Sequence, residues 1–227
     1  MTSAVGNDVI DLLDPRLSGK AHDERFTRRV LDPSEQALVA AAPDPDRVLF
    51  MCWAAKEAAY KVVSKLLGAP PVFQHRAYLY RGAEVEHEGT RYPLHIKAVG
   101  TTLHAVATAG ANEASVFAED HALDHPGSPW DASLDELIGR LTPREGDAVH
   151  SLASAAVRIG ARRTLASVLQ VAEHRVQIVC APGVTGRRPP HVLLDGVPGP
   201  ADVSLSHHGT RIGWAILVPV SSPAVGS

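Results

Sequence analysis

A long segment that contains neither glycine nor proline, residues 50–67, restricts the fold of this chain more than any other feature. It is rich in Ala, Leu, Lys and Glu, which favour helix, so the segment is predicted to be helical. Apolar side chains at three- and four-residue steps form a stripe that would face a core: Trp53, Tyr60, Val63 and Leu67. Beside that stripe, Glu57 and Lys61 are four residues apart and share one face. They form either an acid/base pair or a surface ion pair, and the spacing alone favours the surface pair.

The composition is that of an ordinary soluble protein. With 227 residues, 45% of them hydrophobic, the chain can bury one large core or two small ones. A net charge of −3 leaves no footprint for nonspecific binding to nucleic acid or membrane. No signal peptide pattern opens the chain, and no window approaches the roughly 18 consecutive apolar residues of a membrane span. We therefore expect a cytoplasmic protein whose Cys52 and Cys180 are free thiols, the alternative being a disulfide between them.

The order of elements predicts an α+β fold made of two similar halves. Helical patterns precede alternating, strand-like patterns in residues 1–118, and the same order recurs in residues 146–221. Residues 119–145 are acidic and rich in proline, and are predicted to be a linker in which residues 134–141 are compatible with a short helix. Residues 101–107 also resemble residues 209–215. Two helix-plus-antiparallel-sheet subdomains would pack as a pseudo-dimer, and a cleft between them is a natural ligand site.

Two aspartates near the N-terminus are candidate metal ligands. Asp8 and Asp11 lie within a short run of Val, Ile and Leu that is predicted to be a strand. A carboxylate in an apolar run costs free energy unless it is paired or bound to a cation. The alternative is that Asp8 ends or caps an element, as Asp often does. From this segment alone the two interpretations are equally good.

Hydroxyl, imidazole and guanidinium groups gather in the second half. Ser206 and His207 follow an apolar strand and precede a turn, while Arg187 and Arg188 lie on a preceding loop. A Ser/His hydrolase is one interpretation, but neighbours on a strand point to opposite faces and no Gly-x-Ser-x-Gly elbow is present. Without a Walker loop, such groups are better suited to holding anionic phosphate groups with side chains.

Taken together, these motifs resemble the 4′-phosphopantetheinyl transferase superfamily. Its Trp-x-x-Lys-Glu-Ala-x-x-Lys signature matches residues 53–61 in full. The other motifs that carry the resemblance are Gly6-Asn7-Asp8 with Asp11, Ala161-Arg162-Arg163-Thr164-Leu165, Gly186-Arg187-Arg188-Pro189 and Leu205-Ser206-His207. Any one of them is weak alone, whereas the Lys-Glu-Ala-x-x-Lys and Ser-His motifs together are specific.

The motif order departs from that of the larger, surfactin-type members, in which the Ser-His half comes first. The small holo-acyl-carrier-protein synthases have the order seen here, in shorter chains that form trimers. Because this chain contains two pseudo-repeats, we expect it to form its own cleft as a monomer. Ile10 stands where surfactin-type members carry a second acid, and Asp11 matches the spacing of the small synthases.

The resemblance implies transfer of phosphopantetheine from coenzyme A to a serine of an apo acyl or peptidyl carrier protein, releasing 3′,5′-ADP. It implies Mg²⁺ bound by Asp8, Glu57 and Asp11, with Glu57 and Lys61 as the catalytic residues. The residues expected to bind coenzyme A are Lys56, Arg163, Arg187, Arg188, Ser206 and His207. A non-catalytic relative that binds coenzyme A or a carrier protein is the alternative. Carrier proteins are generally acidic, so Arg25, Arg28 and Arg29 are candidates for a docking face.

Overall fold

The computed structural model describes residues 3–111, 114–125, 127–183 and 186–219, with only the backbone described at 186 and 187. The helices are α1 (Glu24–Val30), α2 (Pro33–Ala40), α3 (Pro45–Leu66), α4 (Leu134–Ile138), α5 (Pro143–Gly146) and α6 (Leu152–Val168). The strands are β1 (Ala4–Asp11), β2 (Tyr78–Tyr80), β3 (Glu84–His87), β4 (Thr90–Val99), β5 (Thr102–Ala109), β6 (Ala114–Ala122), β7 (Val176–Val179), β8 (Pro182–Gly183), β9 (Gly186–Arg187), β10 (His191–Leu194), β11 (Val197–Pro198), β12 (Asp202–His208) and β13 (Arg211–Pro219). All strand pairs are antiparallel, which confirms the α+β class.

The first half builds a five-stranded sheet in the order β1-β5-β4-β3-β2, and α3 packs on it. All eight residues of β1 are buried, because this strand lies between α3 and the second half. Gly6 permits the close approach of the helix, since a Cβ atom there would overlap the carbonyl oxygen of Ala58. The residues of β1 that face α3 are therefore held at short range from the helix.

Helix α3 is longer than predicted, since it begins at Pro45 rather than at residue 50. The side chain of Asp44 accepts a hydrogen bond from the backbone N–H of Arg47 and so caps the helix. Proline fits the first helical position because its missing N–H would have no partner there. The helix ends at Leu66, two residues before Gly68, whose φ of 71° is easily adopted by glycine.

The second half builds a three-stranded sheet in the order β12-β13-β6, covered by α6, with a smaller β11-β10-β7 sheet beside it. Ser151 and Ser154 form a capping box at the start of α6. Gly160 lets the buried indole of Trp214 lie against the helix, because a Cβ atom there would overlap the ring. The core of this half is separate from that of the first half.

The prediction that residues 119–145 form a linker is wrong. Residues 119–122 belong to β6, which pairs with β13 along its length. Trp130 and Leu137 are buried in the core of the second half. The polar residues that suggested a linker include Ser133 and Thr142, which begin the capping boxes of α4 and α5. The second half therefore begins near residue 114, and α4 is the short helix anticipated within residues 134–141.

A buried cation recurs at the same place in both halves. In the first half Lys56 of α3 contacts Glu35, which forms a capping box at the start of α2. In the second half Arg162 of α6 contacts Glu145, which does the same at the start of α5. Each glutamate also accepts a hydrogen bond from a strand N–H. This shared arrangement supports the two pseudo-symmetric halves expected from the sequence.

The two halves meet along the edge of β1 that does not pair with β5. Alternate side chains of β12 accept hydrogen bonds from alternate backbone N–H groups of β1. The pairs are Val5 with Asp202 (2.7 Å), Asn7 with Ser204 (2.9 Å), Val9 with Ser206 (2.9 Å) and Asp11 with His208 (3.2 Å). Side chains thus satisfy a strand edge that would otherwise have unpaired polar groups. This junction places β12 beside the face of β1 that carries Asp8.

Among the described residues, no helix is both long and apolar enough to cross a membrane. The two cysteines form no disulfide with each other. Cys52 is buried in the core of the first half, whereas the sulfur of Cys180 accepts a hydrogen bond from Nη2 of Arg158 at 3.3 Å. The cytoplasmic location stays a prediction.

Candidate active site

Helix α3 and strand β1 bring Lys61 and Asp8 into contact. The ammonium of Lys61 donates to the backbone oxygen of Asn7 at 2.6 Å and to Oδ1 of Asp8 at 3.0 Å. Lys61 therefore bridges the helix and the strand, and its side chain remains partly exposed. Lys61 therefore contacts the acidic motif that contains Asp8. It does not form a pair with Glu57 on an open helix surface.

Glu57 lies one helical turn before Lys61 and is half-buried beside Asp8. Burial and the negative charge of Asp8 raise the pKa of Glu57 to about 7, against the opposing effect of Lys61. A carboxyl group with such a pKa exchanges its proton near neutral pH, as a general base or acid requires. The surface ion pair that spacing alone favoured is therefore the wrong description of this pair.

Ser206 holds the carboxylate of Asp8. Its hydroxyl donates to Oδ1 of Asp8 at 2.9 Å and accepts from the backbone N–H of Val9 at 2.9 Å. Only 6% of the residue is exposed. Ser206 was expected to bind coenzyme A, but its hydroxyl is engaged within the protein and it orients Asp8 instead. Because that hydroxyl donates to Asp8 rather than to His207, the geometry also disfavours a Ser/His hydrolase.

The expectation that Asp11 binds the metal is contradicted by the alternation of side chains along β1. Asp8 faces α3, whereas Asp11, three residues later, points to the opposite face, as a period of two requires. The carboxylate of Asp11 accepts hydrogen bonds from the backbone and hydroxyl of Thr210 and from the backbone of Leu13. Asp11 therefore stabilises the turn between β12 and β13.

Lys56 was expected to contact coenzyme A, and its burial excludes this role. It is 0% exposed, and its ammonium donates to Oε2 of Glu35 at 2.6 Å and to two backbone oxygens. Three donors are thus matched by three acceptors within the core. Lys56 is a structural residue of the first half.

A cavity of about 270 Å³ opens between α3 and β12, on the boundary of the two halves. Its wall on the helix side includes Tyr60 and Lys61, and its opposite wall includes Leu205 and Arg188. Among the described residues that line it, three are cations and none carries a carboxylate. An anionic ligand suits this cavity. The prediction for Arg188 is compatible with that placement, while the side chain of Arg187 lies outside the described part of the chain.

His207 lies near the same group of charges. Although part of its surface is open to solvent, packing around the ring and the positive charges of Lys61 and Arg158 lower the pKa of His207. The negative charge of Asp8 acts in the opposite direction. A neutral imidazole can donate one hydrogen bond to a phosphate oxygen without competing for a proton.

Arg163 does not belong to this group, contrary to expectation. Its guanidinium lies over the ring of Trp130, 5.9 Å from the centroid, and faces Glu173 at 3.6 Å. Arg163, the arginine that the motif indicated, thus lies on the face of α6 that contacts Trp130 and Glu173.

Arg158, five residues earlier, was missed as a site residue. It is 6% exposed, donates to the backbone oxygen of Ser154 and to the sulfur of Cys180, and influences the pKa of His207. Within the described residues its Nε has no hydrogen-bond partner and no carboxylate pairs with it. A buried guanidinium in that state is a candidate for binding an anion. Its position among buried alanines on α6 was the one sequence signal available.

Asp8 and Glu57 are the residues suited to hold Mg²⁺. Within the described residues no group of three or more His, Cys, Asp or Glu side chains has a metal-binding arrangement. However, Mg²⁺ beside phosphates is commonly bound by one or two carboxylates, with water and substrate oxygens as the other ligands. Two neighbouring carboxylates, one of which resists ionisation, match that donor set because a divalent cation relieves their repulsion.

Comparison with known proteins places the same residues in a family context. The model of the 4′-phosphopantetheinyl transferase superfamily matches residues 4–111, which contain Asp8, Glu57 and Lys61. A holo-[acyl-carrier-protein] synthase from Azoarcus is 32% identical over 95 residues, 42% of this chain and 70% of that protein. A protein of the same name from Thiobacillus denitrificans is 32% identical over 79 residues, 35% of this chain and 60% of that protein. The match thus spans less than two thirds of the second relative.

A solved structure of holo-[acyl-carrier-protein] synthase from Neisseria meningitidis also matches. The alignment covers 46% of this chain and 95% of the other, with 18% sequence identity and a TM-score of 0.35. These values do not establish a common fold for the whole chain. The matched family model lies in the first half, so the chemistry of the second half rests on the geometry described above.

Proposed function

Because this chain belongs to the 4′-phosphopantetheinyl transferase superfamily, we propose that it transfers 4′-phosphopantetheine from coenzyme A to a serine of an apo acyl or peptidyl carrier protein. The other product is 3′,5′-ADP. The observation that carries this proposal is the pair of carboxylates beside Lys61, which itself lines the cavity between the halves. Glu57 has a pKa of about 7 beside Asp8, and Lys61 extends from the same helix face to the cavity wall.

The reaction exchanges one phosphorus–oxygen bond for another. The serine oxygen of the carrier forms a bond to the phosphorus that bears pantetheine, and the bond from that phosphorus to the bridging oxygen breaks. Glu57, directly or through a water, takes the proton of the serine hydroxyl. Lys61 faces the leaving phosphate and stabilises the charge that develops on it. Lys61 is held by Asp8 and by the backbone oxygen of Asn7 in the wall of the cavity in which that phosphate would bind.

The remaining phosphate contacts are proposed to come from the second half. Arg188 lines the cavity, while His207 lies close enough to both Lys61 and the buried Arg158 for their charges to lower its pKa. These groups replace Arg163, Lys56 and Ser206 in the proposed binding set. Asp8 and Glu57 would hold Mg²⁺, which when bound supplies positive charge to the pyrophosphate oxygens. Ser206 keeps the Asp8 carboxylate in place for that role.

Helix α1 is the proposed docking face for the carrier protein. Arg29 lies over the ring of Phe26, 5.5 Å from its centroid, and Phe26 stacks on Trp53 of α3 at 5.6 Å. Arg28 pairs with Glu24, so it is partly neutralised. A half-buried aromatic pair flanked by arginines suits an acidic surface that also carries apolar side chains. The carrier would then lie at the end of α3 that leads to Glu57.

The proposed unit is a monomer, since Lys61 of one half and Arg188 of the other line one cavity within a single chain. The other proposed site residues, Asp8, Glu57 and His207, lie near Lys61 in the same chain. Sedimentation equilibrium tests this directly. A monomer that retains full activity supports the proposal, whereas activity that appears only in an oligomer contradicts it.

Two alternatives make different predictions from the transferase. A non-catalytic relative binds coenzyme A by calorimetry but leaves every carrier unchanged. A Ser206/His207 hydrolase shows esterase activity that needs no metal and survives Asp8→Ala. The hydrogen bond from Ser206 to Asp8 argues against the hydrolase.

The experiment incubates the protein with coenzyme A, Mg²⁺ and apo carrier proteins from fatty acid, polyketide and nonribosomal peptide synthesis. The mass of each carrier is then measured. We expect the gain of one phosphopantetheine group on at least one carrier and its loss in Glu57→Ala. Arg163→Ala is the matched control, because its side chain is directed away from the site and it should retain activity. Unchanged carriers, or equal activity in Glu57→Ala and wild type, would refute the proposal.

A further inference from the structure

Lys65 connects three elements at the boundary of the two halves. Its ammonium donates to the backbone oxygen of Val5 on β1 at 2.7 Å and to that of Val203 on β12 at 2.6 Å. It also contacts both carboxylate oxygens of Asp202 at 2.9 Å. One residue of α3 thus touches β1 in the first half and β12 in the second.

Asp202 completes the same connection from the other side. Its Oδ2 accepts a hydrogen bond from the backbone N–H of Val5 at 2.7 Å. Both polar backbone groups of Val5 are therefore satisfied by this pair, the N–H by Asp202 and the oxygen by Lys65. Asp202 forms one end of the junction on β12, and His208, six residues later, forms the other end. Ser206, which holds Asp8, lies between these two residues.

Lys65 also lies in the wall of the proposed coenzyme A cavity, while its partner Asp202 lies just before the part of β12 that lines the cavity. Lys65 follows Lys61 by one helical turn, and both line the cavity on the α3 side. Ser204 and Leu205, which follow Asp202 on β12, line the opposite side. Lys65 and Asp202 therefore join the two walls at the start of β12, and the hydrogen bonds of Ser204 and Ser206 join β12 to β1 farther along the strand.

We propose that Lys65 and Asp202 are positioning residues that fix the width of the cavity between the halves and thereby set the affinity for coenzyme A. This inference rests on the proposed function, because it assigns the cavity to that ligand. Neither residue forms a bond to the substrate. Their effect is transmitted through Lys61, which must face the phosphates across the cavity from Arg188.

A direct role for Lys65 in binding the ligand is disfavoured by its contacts. An ammonium has three protons, and the four oxygens around this one already exceed that number. Only 10% of its side chain is exposed. A phosphate would have to displace protein oxygens to reach it, whereas Lys61 is more open, with 28% of its side chain exposed.

The direction in which two substitutions change the affinity for coenzyme A distinguishes a positioning role from a purely electrostatic one. If Lys65 acted through its charge on an anionic ligand, Lys65→Met would weaken binding and Asp202→Asn would strengthen it. If the pair acts by holding the walls together, both changes weaken binding. The double variant should then be no worse than either single one, because a single contact is lost in all three.

The test measures coenzyme A binding by calorimetry, and KM and kcat by carrier modification, for wild type and these variants. We expect Kd and KM for coenzyme A to rise about tenfold in Lys65→Met and in Asp202→Asn, with kcat changing less. Lys65→Arg should recover most of the affinity, because it restores a cation of similar reach. Arg162→Met is the matched control, since it removes a buried cation from α6 away from the cavity. It should lower stability without changing Kd.

A loss of activity that follows only the folded fraction, with Kd and KM unchanged, would overturn the inference. Opposite effects of Lys65→Met and Asp202→Asn on Kd would also overturn it. If Lys65→Met does not fold, Asp202→Asn and Lys65→Arg still supply the comparison. Wild-type protein that neither binds coenzyme A nor modifies a carrier would refute the proposed function itself, which keeps the two failures distinct.

Discussion

Replacing Glu57 by Gln should remove a pH dependence of stability that the metal-free protein carries. In the folded protein, burial and the charge of Asp8 raise the pKa of Glu57 from 4.5 to about 7. The folded state therefore keeps a proton on this carboxyl group over a pH range in which the unfolded state has lost it. Glutamine has a similar shape and does not titrate, so Glu57→Gln isolates this contribution.

The sign follows from proton binding. Because the folded state binds the proton more tightly, the stabilisation is complete below pH 4.5 and is lost as pH rises through about 7. The difference between the two pKa values corresponds to about 3 kcal/mol of unfolding free energy. Relative to Glu57→Gln, wild type should therefore lose about 3 kcal/mol between pH 4.5 and pH 8.

The assay is urea unfolding of both proteins in a chelator from pH 4.5 to pH 8. Other groups with shifted pKa values, such as His75 and His207, are present in both proteins and cancel in the difference. Added Mg²⁺ should raise the stability of wild type at pH 8 and leave Glu57→Gln less affected, since the ion binds the folded state through ionised carboxylates. Parallel pH profiles for the two proteins would refute the assignment of Glu57 as a buried carboxyl group with a raised pKa.

Three further substitutions test separate parts of the structure. Lys56→Met should cost about 3 to 5 kcal/mol in urea unfolding, because it leaves the charge of buried Glu35 without a partner; a change near zero would contradict the buried pair. Gly6→Ala should cost about 3 kcal/mol or more, because its Cβ atom would force α3 away from β1, and activity per folded molecule should fall as well; unchanged activity would show that this close approach is dispensable. Arg158→Met should raise the Kd for coenzyme A about tenfold by calorimetry, since a charged hydrogen-bond donor is lost, while Arg163→Met should leave it unchanged; the reverse order would restore Arg163 to the site.

The key residues of the first half could be identified from sequence because each belongs to a short, recognisable pattern. The spacing of Glu57 and Lys61 is fixed by the helix itself, and the apolar run around Asp8 left two roles open, binding a cation or capping an element. These two patterns are local, whereas the contact that joins them, between Lys61 and Asp8, spans 53 positions along the chain.

The errors arose where the outcome depends on which face of an element meets the rest of the protein. Alternation along β1 separates Asp11 from Asp8, although both belong to one motif. On α6, packing against Trp214 sets the rotation that buries Arg158 and directs Arg163 outward. Pairing of β6 with β13 joins segments some ninety residues apart, so composition alone indicated a linker there. Lys65 was overlooked because its partners lie about sixty and 137 residues away.

Product stoichiometry tests the central claim most directly. Wild-type protein, coenzyme A, Mg²⁺ and an apo carrier should yield one phosphopantetheine group on a carrier serine for each 3′,5′-ADP released, measured by mass spectrometry and chromatography of the same reaction. Glu57→Ala should yield neither product at a measurable rate. A carrier that stays unmodified, or 3′,5′-ADP released without a matching gain in carrier mass, would contradict the assignment of the cleft between the two halves as a phosphopantetheinyl transfer site.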